Sequence, residues 1–315
     1  MNEEQPYFSV IIPVYNRAAI VLRAIGSVLN EPARDVEIIV VDDASSDDIA
    51  DRVASIRDSR LRLLQLRENG GCCVARNAGA RAARGQWLVF LDSDDELAPG
   101  SLERIRQRAL SAPDDVGKLL FACRDDSGAI SPDPPFDGQY MDYRGYLRWL
   151  ELTVDGLSEA LPTTRRTDFL KCPYPEARGW FESIHELDFV RSRRVQRCPE
   201  IVRLYHFDAP IRLMVPNSDV VLANARARID QAEALLASHG QQMQMHAPRR
   251  WIMLLREAAL FNFFAGNRLK GIRNSFAVLR SAPLNTRTWA VLLSGTLSPS
   301  LLLRIWTRRR TRLAT

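Results

Sequence analysis

The densest potential chemistry lies in Asp92-Ser93-Asp94-Asp95, directly after the apolar run Trp87 to Leu91. Carboxylates two residues apart at a strand end can face one site. Their oxygens suit a hard cation, and Mg²⁺ or Mn²⁺ is usually held by one or two carboxylates together with substrate phosphates. A solvated Asp-rich turn that caps a helix is the plainer alternative. Asp42-Asp43 close a second apolar run, Val36 to Val41. A carboxylate there can accept from a base N–H or a ribose hydroxyl, as acidic residues do in dinucleotide folds, or it can cap the next helix. Tyr15-Asn16 end a third run, Phe8 to Val14, where Tyr15 stacks on a base or packs at the strand end. Asn69-Gly70-Gly71 followed by Arg76-Asn77 offers a turn, a helix start and a cation. Backbone N–H groups in such a place can meet phosphates. The pattern is neither a Walker A loop nor G-x-G-x-x-G, so ATPase and NAD readings lose support.

The elements that must hold these residues follow from the apolar pattern. Phe8–Val14, Val36–Val41, Leu61–Leu66 and Trp87–Leu91 read as strands. Between them the spacing predicts helices over Ala18–Asn30, from a cap at Ser46 or Asp47 to Ile56, and from Gly71 to about Arg84. Continuous apolar strands alternating with helices imply an α/β fold with a mostly parallel, Rossmann-like sheet covered on both faces. In such sheets ligands sit beyond the carboxyl ends of the strands, where all four polar clusters fall. A helix is expected over Pro99–Leu110 and a loop over Ser131–Gly138. After about Pro216 come Ala-, Leu- and Arg-rich helices with breaks expected near Gly240, Gly266 and Pro283, and a helical hairpin within Arg249–Leu279.

Four segments occur in order: Phe8-Ser-Val-Ile-Ile-Pro-Val-Tyr-Asn16, Val40-Val-Asp-Asp-Ala-Ser-Ser-Asp47, Asn69-Gly70 with Arg76-Asn77, and Phe90-Leu-Asp-Ser-Asp-Asp95. Together they resemble the family 2 glycosyltransferases, which have the GT-A fold. The resemblance is dense from Phe8 to about Pro99 and thinner to about Leu213. It implies a GT-A catalytic domain over 1–215, with a nucleotide-sugar half over about 1–100 and an acceptor half over about 101–215. A basic helical region, 216–315, follows. By resemblance Pro13, Tyr15 and Asn16 line the nucleotide pocket, and Asp43 or Asp42 contacts the base. Asn69, Gly70, Arg76, Asp92 and Ser93 complete the nucleotide-sugar site. Asp92 and Asp94 are the metal-linked D-x-D pair for Mn²⁺ or Mg²⁺.

The resemblance also implies a carboxylate base some 80–100 residues after the D-x-D. The matching region is Tyr174 to Asp188, where the usual Glu-Asp dipeptide is missing. Glu182 stands in its place, with Glu186 and Asp188 behind it. On a helix Glu182 and Glu186 share a face at i,i+4; surface charge is the alternative. His185 reads as a packing or surface histidine. Arg212, after Tyr205-His206-Phe207, is a candidate loop residue over the diphosphate, or an ordinary surface arginine. The implied reaction is transfer of a hexose from a nucleotide-sugar, UDP-linked by expectation, to a hydroxyl acceptor of a cell-surface polysaccharide or glycolipid, with inversion. A catalytically degenerate nucleotide-sugar-binding or scaffold subunit is the alternative, on the strength of the altered base motif. A nucleotidyltransferase is disfavoured, since no Gly-rich basic triphosphate loop is present.

Charge separates the two parts of the chain. Of 315 residues, 43 are Lys or Arg and 38 Asp or Glu. Residues 1–115 carry 14 basic and 19 acidic side chains, whereas 216–315 carry 15 and 4. The acidic body disfavours a nucleic-acid partner. The basic end has three readings: peripheral contact with an anionic membrane, packing on the catalytic domain or a second subunit, or a solvated appendage. The run Arg304 to Arg312, a tryptophan among five arginines, favours membrane contact. The acidic start without an apolar core, the scattered cysteines and the interrupted stretch Trp289–Trp306 set a cytoplasmic expectation, with peripheral contact at the inner face of the cell membrane.

Overall fold

The computed structural model describes residues 5–132, 135–153, 159–176, 182–207, 225–300 and 302–303. The first elements alternate: β1 (Phe8–Val14), α1 (Val21–Leu29), β2 (Val36–Asp42), α2 (Ile49–Ser55), β3 (Leu61–Gln65), α3 (Cys72–Ala82) and β4 (Trp87–Phe90). Every residue of β1, β2 and β4 is buried. Alternate side chains serve opposite faces. Val10, Ile12, Ile38, Val40 and Val89 pack with Val21, Ile25 and Val28 of α1. Ile11, Ile39, Val41, Leu88 and Phe90 pack with Cys73, Ala75 and Ala80 of α3. Two covered faces explain why these strands are apolar apart from Ser9, Glu37 and the terminal Asp42, and the buried Ser9 hydroxyl donates to Glu37 Oε1 at 2.6 Å. Gly79 is fixed by this packing, because a Cβ there would lie 2.5 Å from Ile11 Cγ2.

The chain continues through β5 (Glu96–Leu97), α4 (Ser101–Ser111), β6 (Val116–Asp125), β7 (Ile130–Ser131), β8 (Tyr140–Met141) and α5 (Tyr143–Leu152). It then forms β9 (Leu161–Arg165), α6 (Arg166–Lys171), α7 (Glu182–Ser192) and β10 (Arg194–Tyr205). The sheet order is β3-β2-β1-β4-β9-β6-β10-β5. The longest ladders, β1 with β2, β2 with β3 and β6 with β10, are parallel. β9 runs antiparallel to both β4 and β6, which makes the sheet mixed beyond β4. Parallel register aligns Val14 with Asp42 and Asp42 with Gln65, so the first strands deliver their polar ends to one edge. On the far side, β10 returns antiparallel to β5 and sets Arg203 opposite Leu97.

The described residues divide into two compact units. One lies within Met1–Tyr146, Asp155–Ala177 and His185–Ala209, and the other within Leu147–Val154, Arg178–Ile184 and Pro210–Thr315. The second contains α8 (Ala225–His246), α9 (Pro248–Phe264), α10 (Arg268–Ser281) and α11 (Thr286–Leu297). Its core joins Leu260, Phe263, Leu279 and Leu292, and α9 and α10 form the expected helical hairpin.

Two local expectations are corrected. Helix α2 has Asp48 at its N-cap, without a side-chain cap bond. Asp47 turns instead to the Ala18 N–H at 2.8 Å, because the loop after β1 offers an unpaired donor. Helix α8 runs through Gly240 and ends at His246. An interior glycine costs a helix only about 1 kcal/mol, and the buried stripe Ile229, Ala232, Leu235, His239, Met243 outweighs it.

Candidate active site

The Asp-rich segment leaves β4 and is tied down at both ends. The Leu91 N–H donates to the Ile11 carbonyl at 3.1 Å, and β5 pairs with β10. Between these ties, arginines from three parts of the sequence converge on the carboxylates. Arg76 Nη2 of α3 reaches Asp92 Oδ1 at 2.6 Å. Arg17 Nη1, after β1, reaches Asp94 Oδ2 at 2.8 Å. Arg203 Nη1 of β10 lies 3.3 Å from Asp95 Oδ2 and 3.7 Å from Asp92 Oδ2. Arg23 Nη2 of α1 donates to the Asp94 carbonyl at 2.5 Å.

Burial divides the roles of the three aspartates. The side chains of Asp92 and Asp94 keep 35% and 22% of their exposure, so both reach solvent. Withdrawal from water tends to raise the Asp92 carboxyl, but Arg76 and Arg203 overcome that and hold it below the usual range. Asp95 is fully buried. Burial pushes its carboxyl up to about 8, with Arg203 opposing and Asp92 and Asp94 adding to the rise. At neutral pH Asp95 is therefore mainly a protonated structural group.

Arg203 is itself buried. It also reaches Glu159 Oε2 at 2.7 Å and donates from Nε to Cys123 Sγ at 3.1 Å. Just past the end of β10, His206 sits between Asp126 Oδ1 at 2.7 Å and Glu96 Oε1 at 2.8 Å. These contacts fix the far wall of the Asp-rich turn.

The other expected residues lie at the same sheet edge. Pro13 is buried within β1, and Tyr15 just beyond it is 48% exposed. Asn16 has φ of 51° and accepts from the Ser46 N–H at 2.8 Å. Asp42 is buried, accepting from Ser45 N–H at 2.9 Å and from Gln65 Nε2 at 3.3 Å. Asp43 is also buried, and its two oxygens accept from the Gly70 and Gly71 N–H groups, each at 2.8 Å. The glycine turn thus spends those donors on Asp43, and the φ of +88° at Gly71 is what lets the turn start α3. Ser93 is buried and lies 3.5 Å from Arg17 Nη1.

The candidate base region connects to this edge through α3. Asn77 Nδ2 donates to the Tyr174 carbonyl at 2.8 Å, and its Oδ1 accepts from the Tyr174 N–H at 3.1 Å. Tyr174 lies under Arg76, 5.7 Å from ring centre to guanidinium, and its ring centre is 4.2 Å from that of His185. His185 is buried and stays neutral, because burial and the Lys118 ammonium both oppose its protonation. Lys118 Nζ, from β6, lies 2.6 Å from Glu186 Oε1 and 3.1 Å from His185 Nε2. A continuous chain of contacts therefore runs Asp92–Arg76–Tyr174–His185–Lys118–Glu186. Asp188 is more exposed and faces Arg191 at 3.6 Å. Glu182 is the first, half-buried residue of α7. Arg212 and the run Arg304 to Arg312 lie outside the described residues.

Sequence reasoning missed Arg17, Arg203 and Lys118. Arg17 had a signal in its place directly after the strand-end Tyr15-Asn16. Lys118 had one too, as the charge that interrupts the apolar run Val116 to Cys123. Arg203 had none, since nothing near it in the chain marks a partner more than a hundred residues away.

Parallel strands that end in carboxylates at one sheet edge, followed by an antiparallel strand and a second parallel pair, define a GT-A type of fold. S. aureus TarS, residues 1–349, shares it with a TM-score of 0.57 at 17% identity, covering 97% of this chain and 91% of that one. The same protein in complex with UDP-GlcNAc matches at 0.56 and 18% identity, with the same coverage of both chains. The chain belongs to glycosyl transferase family 2, whose model matches residues 9–166.

Among curated relatives, succinoglycan biosynthesis protein ExoO of Rhizobium meliloti is 44% identical over 110 residues, covering 35% of this chain and 32% of that protein. The GalNAc(5)-diNAcBac-PP-undecaprenol beta-1,3-glucosyltransferase of Campylobacter jejuni is 39% identical over 107 residues, covering 33% and 35%. The match therefore spans about a third of the length of these relatives.

Proposed function

We propose that the protein is an inverting, metal-dependent glycosyltransferase that moves a hexose from a UDP-sugar to a hydroxyl of a saccharide or lipid-linked saccharide acceptor. The carrying observation is the set of arginine-paired carboxylates, Asp92 and Asp94, at the carboxyl edge of the sheet within the family-matched segment. The relatives named for succinoglycan biosynthesis and for a glucosyltransferase acting on an undecaprenol-linked saccharide support a polysaccharide or glycolipid product. The likeness to a UDP-GlcNAc complex supports a UDP donor.

Asp92 and Asp94 supply partly exposed, hard oxygen donors, which fit Mg²⁺ or Mn²⁺. Among the described residues no group of three or more His, Cys, Asp or Glu is placed to hold an ion alone. A cation here would therefore rest on this pair and on donor phosphates. When bound, it would neutralise the diphosphate as a Lewis acid. Tyr15 offers an exposed ring to the base, and Arg17 and Arg76 are placed to trade a carboxylate for phosphate oxygens. Asp42, Asp43, Asn69 and Gly70 shape the pocket wall.

A carboxylate on α7 takes the acceptor proton as the acceptor oxygen attacks the anomeric carbon. Glu186 is the strongest of the three candidates, because its contacts lead back to Asp92 and Lys118 holds its carboxylate in place. Glu182, one turn earlier, and Asp188 are the alternatives. All five cysteines are free thiols, which supports a reducing compartment such as the cytoplasm. No described helix is long and apolar enough to cross a membrane. Peripheral contact through the basic C-terminal region completes the reading.

A thermal-shift screen of nucleotide-sugars with Mn²⁺ or Mg²⁺ tests the donor, since a ligand that binds only the native state raises apparent stability. Product release is then followed with Asp94→Asn and Glu186→Gln. Both variants should fold and lose transfer. Full activity in both sinks the residue assignments, and binding of UDP and Mn²⁺ without any transfer or hydrolysis favours a scaffold subunit.

A further inference from the structure

The helical unit carries an arrangement that sugar transfer does not use. From Ala258 to Thr315 the sequence has ten Lys or Arg and no Asp or Glu. Within that stretch, α10 and α11 are joined by a short turn and bury Val278, Leu279 and Leu292. Each also leaves a stripe outside. On α10 the exposed residues Leu269, Arg273, Phe276 and Arg280 recur at helical spacing. On α11 Trp289, Leu293 and Leu297 do the same, and Leu284 in the turn between them is 90% exposed. The Trp289 indole N–H is satisfied by the Pro283 carbonyl at 2.8 Å, so the exposed part of the ring is apolar. Arg268, Arg273, Arg280 and Arg287 are exposed, and none forms an ion pair among the described residues.

Large apolar side chains interleaved with unpaired arginines match the boundary between lipid headgroups and acyl chains. Leucine, phenylalanine and tryptophan enter the acyl edge while guanidiniums meet lipid phosphates. Helices of 14 and 12 residues are too short to span a bilayer, which needs about 20. A second copy of the chain fits poorly, since a two-fold contact would set arginines against arginines with no acid to answer them.

We infer that the exposed face of the α10–α11 hairpin is a docking surface for an anionic membrane. The inference rests on the peripheral-membrane reading above and moves the contact from the terminal arginine run to this hairpin. Flotation of the full chain tests it. The vesicles are phosphatidylcholine alone or three parts phosphatidylcholine to one part phosphatidylglycerol, at low and high salt.

The chain should float with the anionic vesicles only, and less at high salt. Arg273→Gln, Arg280→Gln and Arg287→Gln should each lower partition about fivefold. Leu293→Ser with Leu297→Ser should lower it about tenfold or more. All these positions are solvent-facing, so circular dichroism should match the parent. If the hairpin variants float like the parent while Arg308→Gln, Arg309→Gln and Arg310→Gln together abolish flotation, membrane contact stands and the hairpin assignment falls. If the parent floats with neither vesicle, both fall. A parent dimer that dissociates in the Leu293→Ser, Leu297→Ser chain assigns the face to self-association and overturns the inference.

Discussion

Replacing Arg203 by methionine tests whether the Asp-rich turn is held by its buried cation. Methionine keeps most of the side-chain volume and removes the charge. The guanidinium lies 3.7 Å from Asp92 Oδ2, an attraction of about 4.5 kcal/mol at an effective dielectric of about 20. Burying Arg203 cancels several kcal/mol of that. The Glu159 carboxylate is partly exposed and regains water, so losing it costs about 1 kcal/mol. Asp95 is mostly protonated at neutral pH and is not stranded as a second charge, and Asp92 keeps Arg76. The net loss should be about 3 kcal/mol, at the low end for breaking a buried pair.

The pH dependence carries the sign. The Asp95 carboxyl is raised above its unfolded value near 3.8. Its contribution is therefore complete below that value and is lost as pH rises toward about 8. Without Arg203 the Asp95 carboxyl rises further. The gap between parent and variant should stay level from about pH 5, where Asp92 is ionised in both, to about 8, and widen above that. Urea unfolding across pH measures both effects. A loss under about 1 kcal/mol, or a gap that narrows in alkali, would refute the account.

Asn77→Ala should cost about 3 kcal/mol in urea unfolding, because it strands both the Tyr174 N–H and carbonyl. It should also slow transfer by loosening the contacts that lead to Glu186; unchanged stability would contradict the two-way bond. Gly79→Ala should be destabilising by about 1 kcal/mol, since overlap with Ile11 exceeds the helix-propensity gain of about 1 kcal/mol. A rise in melting temperature would show that α3 and β1 are less closely packed.

The first half of the sheet was legible because its signals are local. An apolar run closed by polar residues means a buried strand wherever it lies, and parallel pairing then brings Tyr15, Asp42, Asn69 and Asp92 to one edge. The second half was harder to read. β9, Leu-Pro-Thr-Thr-Arg, carries no strong apolar run and owes its strand to the neighbours β4 and β6. Helix α8 overrode a glycine that reads as a break.

By itself the sequence determined which residues could do chemistry: the D-x-D carboxylates, the strand-end polar clusters and the acidic segment of α7. Only the tertiary structure decided how they divide the work. It buried Asp95 and left Asp92 and Asp94 at solvent, engaged the glycine-turn amides with Asp43, and drew Arg17, Arg76 and Arg203 to one turn. It also separated Glu186, joined to that turn through His185 and Tyr174, from Asp188, which faces Arg191. Charge and hydrogen-bonding capacity belong to residue types, but burial and partnership depend on distances set across the sheet by packing between segments far apart in the chain.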